Sequence, residues 1–242
     1  MDYFIDWNCQ LFPSIRIGST TFSDAVETMS FLHDRDRISH FCLISEYTTA
    51  YGPIPAFLIW RNRLANELKA QIPKGVKLQF ATSTPVFQGL HQMDDLERLF
   101  LNADRLLPIT LPMALYEDWI DLELNRLLYQ RNIRPMFISF DFAVKLYSHE
   151  VIQKLLRISN AVYQFNYRSL TDERVIRAIS HLLRNHPQAT ILLGTSIDCF
   201  ERASFHETEY YLQTAAKYLS PLEYQILLHQ GRAFWKNFSH RI

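Results

Sequence analysis

The chain has 242 residues, 48% hydrophobic and 21% charged, the balance of a globular protein able to bury a full core. Its 25 lysines and arginines are matched by 25 acids, so it lacks the basic surplus expected of a general nucleic-acid binder. Apolar runs such as Ile191-Leu192-Leu193 fall far short of the ~20 residues that span a bilayer, so no membrane span is expected.

The opening MDYFIDWNCQ carries Asp2 and Asp6 and no basic stretch, which predicts no signal peptide. Residues 3–7 then form the first short apolar run, of strand length. Ser23 reads as the N-cap of a helix to Asp36, with Ala25, Met29 and Leu32 on one face. A second strand at 41–45 precedes a helix over 55–71, which repeats Phe57, Leu58, Leu64 and Leu68 and stops before Pro73. Strands at 77–81, 105–111, 135–140, 161–165 and 190–194 alternate with helical patterns at 94–102, 116–131, 149–158 and 171–185. Asp172 and Glu173 place acids in the first turn of the last of these. Helices at 204–219 and 221–238 close the chain, the second with Pro221 in its first turn. Most of the strands are apolar on both faces, as a parallel sheet covered by helices requires. The pattern predicts one α/β domain over residues 1–242, a parallel β/α barrel, with an open doubly wound sheet as the alternative.

Only six glycines occur, where average usage gives about 17, and they lie singly, so Walker and Rossmann phosphate loops are absent. Cys9, Cys42 and Cys199 lack C-x-x-C spacing, which predicts buried thiols in a reducing, cytoplasmic compartment. The nine histidines are isolated from one another and fall mostly in helices or loops, where solvated or helix-capping roles are expected.

In a β/α barrel, function gathers where strands end. Those ends carry Asn8 and Gln10, Glu46 and Tyr47, Thr82 and Ser83, Thr110, Ser139 and Asp141, Asn166, and finally Ser196, Asp198 and Arg202. The set is polar, mostly uncharged and free of histidine.

Ile5-Asp6-Trp7-Asn8-Cys9-Gln10-Leu11-Phe12-Pro13 resembles the I-D-x-H-x-H-x-x-P opening of the PHP (polymerase and histidinol phosphatase) domain. The branch it resembles is the bacterial manganese-dependent protein-tyrosine phosphatases of capsule and exopolysaccharide operons. Leu106-Leu107-Pro108-Ile109-Thr110-Leu111-Pro112 is similar to that branch's strand ending in E-L-P, and 136–142 sits where its apolar strand enters H-P-E-R. Residues 161–170 resemble G-x-x-x-Q-x-N-x-x-S-L, and Gly194-Thr195-Ser196-Ile197-Asp198 falls at S-D-A-H, with Arg202 near a downstream arginine. The resemblance spans nearly the whole chain. It implies a distorted seven-stranded TIM-like barrel with two or three metal ions, commonly manganese, on histidines and carboxylates.

Carried over by position, the ligands are replaced. The paired opening histidines become Asn8 and Gln10, and the next histidine becomes Tyr47 or Thr48. The glutamate after the third strand falls near Ser83, the H-P-E-R histidine becomes Ser139, and the final Asp and His become Ser196 and Asp198. Arg16 stands where the family carries an acidic loop. Amides and hydroxyls are poor ligands for Mn, Fe or Zn, so neither a metal nor another cofactor is expected.

Three functions are weighed. A metal-dependent phosphoesterase or protein-tyrosine phosphatase fails at its ligands. A metal-free enzyme would use Cys9 as nucleophile, or Asp6, Asp141, Asp198 and Arg202 as residual catalytic groups, but no histidine base lies beside Cys9. A pseudophosphatase, a barrel kept for binding or scaffolding, fits the replacements best. Its ligand residues would be Asn8, Gln10, Arg16, Tyr47, Thr110, Ser139, Asn166 and Ser196. They would take a small anionic or sugar-like ligand, with a protein partner as the other option. The resemblance implies a setting in bacterial polysaccharide synthesis.

Overall fold

Seven strands run parallel in chain order: β1 (Phe4–Cys9), β2 (Ile38–Glu46), β3 (Lys77–Pro85), β4 (Leu106–Thr110), β5 (Arg134–Phe137), β6 (Val162–Asn166) and β7 (Thr190–Gly194). The computed structural model describes residues 3–13, 20–101, 104–158, 160–197 and 206–239. Just past β7 the chain closes on β1: Ser196 N donates to Asn8 O at 2.7 Å, and Gln10 N to Ile197 O at 3.1 Å. That seam makes the sheet a barrel and removes the open doubly wound alternative.

Closure needs a residue without a side chain. A Cβ at Gly194 would lie 2.5 Å from the Asn8 backbone nitrogen. The Asp6 carboxylate, fully buried, pins the same seam by accepting from Thr195 N at 2.8 Å, from Asn8 N at 3.0 Å and from the Thr195 hydroxyl. Two other seams are short: β3 meets β4 through Thr84↔Ile109 and Pro85↔Thr110, and β5 meets β6 through Met136↔Val162 and Phe137↔Tyr163.

Inside the barrel pack Ile5, Trp7, Cys42, Ala81, Leu106, Met136, Val162 and Leu192, joined by Trp235. A larger cluster fills the space between strands and helices. Each such side chain withdrawn from water contributes roughly 1.5–3 kcal/mol.

The helices are α1 (Phe22–Asp36), α2 (Ile54–Lys69), α3 (Asp118–Asn125), α4 (Phe140–Leu146), α5 (His149–Leu156), α6 (Glu173–Asn185), α7 (Thr208–Ala216) and α8 (Pro221–Ser239). Several differ from the sequence reading. Thr21, not Ser23, caps α1, in a reciprocal capping box with Asp24. The helix expected at 94–102 is replaced by 3-10 turns at Leu90–Gln92 and Leu96–Leu99, because Asp95 takes a left-handed φ of 59° that no helix can continue through. The strand expected at 135–140 stops at Phe137, and Phe140 opens α4, a seven-residue helix too short to show a period.

Two histidines depart from the solvated or capping role. His91 is buried against Glu123, its Nδ1 2.7 Å from Oε1. His40 is buried, stacked on Tyr3 and edge-on to Trp235. Among the described residues, no helix is long and apolar enough to cross a membrane.

Candidate functional site: the strand-end network

The register of β1 against β2 shifts between Asp6 and Cys9, and such a bulge re-aims the side chains within it. Asn8 lies in that shift, 2% exposed, with its amide directed across the barrel mouth. Its Nδ2 lies within donating distance of three acceptors: Ser196 Oγ at 2.7 Å, Ser139 Oγ at 3.0 Å and Gln164 Oε1 at 3.0 Å. An amide has two hydrogens, so one of the three bonds is shared. One residue thereby ties β1 to the ends of β5 and β6 and to the chain after β7.

Gln164 is the counterweight. Its Oε1 also accepts from Ser139 N at 2.7 Å, and its Nε2 donates to Phe165 O at 2.7 Å and Asn166 Oδ1 at 3.2 Å. Asn166 Oδ1 further accepts from the Ser196 hydroxyl. Ser139 and Ser196 both hold left-handed backbones, φ 51° and φ 49°, which non-glycine residues seldom adopt. Sustaining that strain puts both hydroxyls beside Asn8.

Asp141, in the first turn of α4, continues the network inward. Its carboxylate accepts from Asn166 N and Nδ2, both at 3.1 Å, and from Ser169 Oγ at 2.5 Å. Lys145 Nζ donates to the same Ser169 hydroxyl at 3.0 Å. Burial raises the Asp141 carboxyl above its ordinary range, against the lowering pull of Ser169, Asn166 and Lys145. Asp6 is raised by burial in the same way. Cys9 is fully buried, and burial with the nearby Asp6 charge lifts its thiol well above the usual value.

Of the residues anticipated from sequence, Asn8, Ser139, Asn166, Ser196 and Asp141 therefore form one hydrogen-bonded cluster, and Asp6 backs it through the Asn8 peptide. Gln10 and Thr110 stay outside that cluster. They line an adjoining cleft of about 360 Å³ with Glu46, Ser83, Tyr51 and Trp60. Tyr47 is buried and turned away, its hydroxyl donating to Gly52 O at 2.7 Å. Arg16, Asp198 and Arg202 lie outside the described residues. Gln164, Ser169, Thr195 and Lys145 were not singled out as site residues. For Gln164 there was a signal, a lone amide in a strand otherwise apolar up to Asn166.

A pair of manganese ions asks for imidazoles and free carboxylates. The mouth offers amides and hydroxyls that already bond one another, and of its three described carboxylates Asp6 and Asp141 are engaged by protein donors, which leaves Glu46 alone in the adjoining cleft. Among the described residues, no three His, Cys, Asp or Glu side chains converge on a point where a metal could sit. This donor set does not fit the metals that the sequence resemblance implies.

Fold and site together define a nearly closed, seven-stranded parallel β/α barrel with a polar, self-bonded mouth. No family model matches the sequence, and no curated protein matches it. In structure the chain is similar to one from the crystal structures of YwqE from Bacillus subtilis and CpsB from Streptococcus pneumoniae, unique metal-dependent tyrosine phosphatases. The TM-score is 0.65 at 15% identity, over 94% of this chain and 95% of that one. The chain thus has the fold of that protein, a TIM-like barrel of the seven-stranded kind that the sequence resemblance points to.

Proposed function

We propose that this protein is a non-catalytic barrel, a pseudophosphatase whose mouth binds a ligand without turning it over. The observation that carries the reading is the Asn8 amide, which donates within the protein to Ser139, Gln164 and Ser196 where a metal site would need an open ligand. Metal-assisted phosphate hydrolysis depends on an ion that acidifies a bound water and clamps the phosphoryl oxygens, and the described donors do not suit one. Metal-free catalysis finds no better support. A thiol pushed up by burial, like Cys9, is no thiolate near neutrality, and Asp141 is occupied by Asn166 and Ser169.

The cleft beside the network supports the sugar-like option over the anionic one. Gln10, Ser83 and Thr110 offer an amide and two hydroxyls, Tyr51 and Trp60 offer ring faces, and the charged group lining it is the Glu46 carboxylate. Neutral hydroxyl-rich molecules are held by such mixtures of rings and hydrogen-bonding groups, whereas Glu46 repels an anion. A role in bacterial polysaccharide synthesis is the setting consistent with such a ligand.

The test is turnover of p-nitrophenyl phosphate and of a phosphotyrosyl peptide with added manganese. The rate should not exceed the protein-free blank. Turnover that Asp141→Asn abolishes would instead establish the active-phosphatase alternative.

A further inference from the structure

Away from the mouth, a second cleft of about 790 Å³ opens between the later turns of α2 and the first residues of β3. Arg61, Asn62, Lys69, Lys77 and Phe80 shape it, and no aspartate or glutamate is among its lining residues. In a chain with as many acids as bases, three cations without an acid are an electrostatic anomaly.

Arg61 is the most telling of them. It is half-buried, and burial lowers the pKa of its guanidinium. Its partners are all neutral: Nη1 donates to Thr82 Oγ1 at 2.8 Å, while Nε and Nη2 donate to Asn62 Oδ1 at 3.1 and 2.6 Å. A guanidinium has five N–H donors, so two remain. Other arginines on this protein do find carboxylates. Arg63, two residues along the same helix but facing solvent, pairs with Glu67 at 3.0 Å, and Arg184 pairs with Glu223 at 2.8 Å. A cation taken partly out of water with no counter-ion is costly, and an anion at the free edge of Arg61 would offset that cost. Lys69 and Lys77 stand ready to neutralise a second charge, Lys69 with its Nζ 5.3 Å from the centre of the Phe80 ring.

We propose that this cleft binds a small phosphate-bearing molecule, with Arg61 as its anchor and Lys69 and Lys77 as flanking charges. Two spare N–H groups on a planar fork suit two oxygens of one phosphoryl group. The volume is that of a small-molecule site, and the ring of Phe80 offers an apolar wall to the remainder of the ligand. The site is independent of the mouth and of the function proposed for it.

Inorganic pyrophosphate is the probe, titrated against the full chain and followed by thermal shift and calorimetry, with potassium chloride at matched ionic strength as control. The expected result is a saturable rise in Tm that chloride does not reproduce, since a ligand of the folded state alone stabilises it. Arg61→Gln should weaken binding at least tenfold, and so should the Lys69→Gln/Lys77→Gln pair. Arg63→Gln, a charge lost on the solvent side of the same helix, should leave binding unchanged. If Arg61→Gln fails to fold, the exposed lysine pair carries the test. No saturable rise, a rise matched by chloride, unchanged affinity in the lysine pair, or equal weakening by Arg63→Gln would overturn the proposal.

Discussion

Asn8 and Ser196 are bonded twice. The Asn8 side-chain amide donates to the Ser196 hydroxyl at 2.7 Å, and the Ser196 peptide N–H donates back to the Asn8 carbonyl at 2.7 Å. The same two residues thus close the barrel and fill its mouth. The resemblance places metal ligands at both positions, so the contact joining the first strand to the last would replace a bridge through metal with one through hydrogen bonds. At that point the bonds that hold the first strand to the end of the last are the same ones that occupy the strand-end network.

Truncating either amide should be costly. Asn8→Ala leaves the Ser139, Ser196 and Gln164 acceptors short of a donor, and Gln164→Ala strands the Ser139 peptide N–H. Each should lower stability by about 1–3 kcal/mol, the range for an unsatisfied buried group. Because they share partners, the double variant should cost less than the sum. Urea denaturation of the four chains measures this, and strict additivity would contradict a single network.

Gly194→Ala should destabilise by crowding alone, with no polar side chain removed. Its Cβ would sit 2.5 Å from Asn8 N and 2.9 Å from Asn8 Cβ, so β1 and β7 must part. Overpacking of this kind costs about 1–3 kcal/mol. A thermal melt equal to that of the parent would show the seam to be looser than described.

His40 gives a pH signature. Burial, with Lys77 adding to it, lowers its pKa from 6.5 to about 4. Between those values the unfolded chain binds the proton and the folded chain does not, so stability rises with pH across the window and is lost as pH falls from 6.5 toward 4. His40→Phe keeps a ring against Tyr3 and Trp235 but removes the proton. Its stability should therefore depend less steeply on pH between 4 and 6.5 than the parent's, as read by chemical denaturation at stepped pH. Identical slopes would contradict the assignment.

Cys9 and Cys42 should resist iodoacetamide in the native chain near pH 8. Both are fully buried, and burial raises both thiols. Peptide mapping after brief alkylation is the check. Rapid labelling of Cys9 would reopen its reading as a nucleophile.

Much of the architecture was legible because each strand is a short run buried on both faces, and because β/α alternation admits few parallel folds. What escaped notice was set by single residues rather than by period. The left-handed Asp95 breaks the expected helix at 94–102, and the left-handed Ser139 ends β5 early and starts α4, a helix of seven residues too short to show a period. At the site, the positions of Asn8, Ser139, Asn166 and Ser196 could be read from strand ends. Their mutual bonding could not, because it runs through Gln164 and through a bulge in β1 that alternation does not reveal. Tyr47 illustrates the limit: it stands at a strand end, yet its hydroxyl is drawn to Gly52 O.

The most direct test of the account is metal content. The full chain, incubated with manganese and desalted, should retain only a trace by inductively coupled plasma mass spectrometry, well below one ion per chain. Retention of one or more manganese ions per chain, with the ions lost when Asn8 or Asp141 is replaced by alanine, would contradict it.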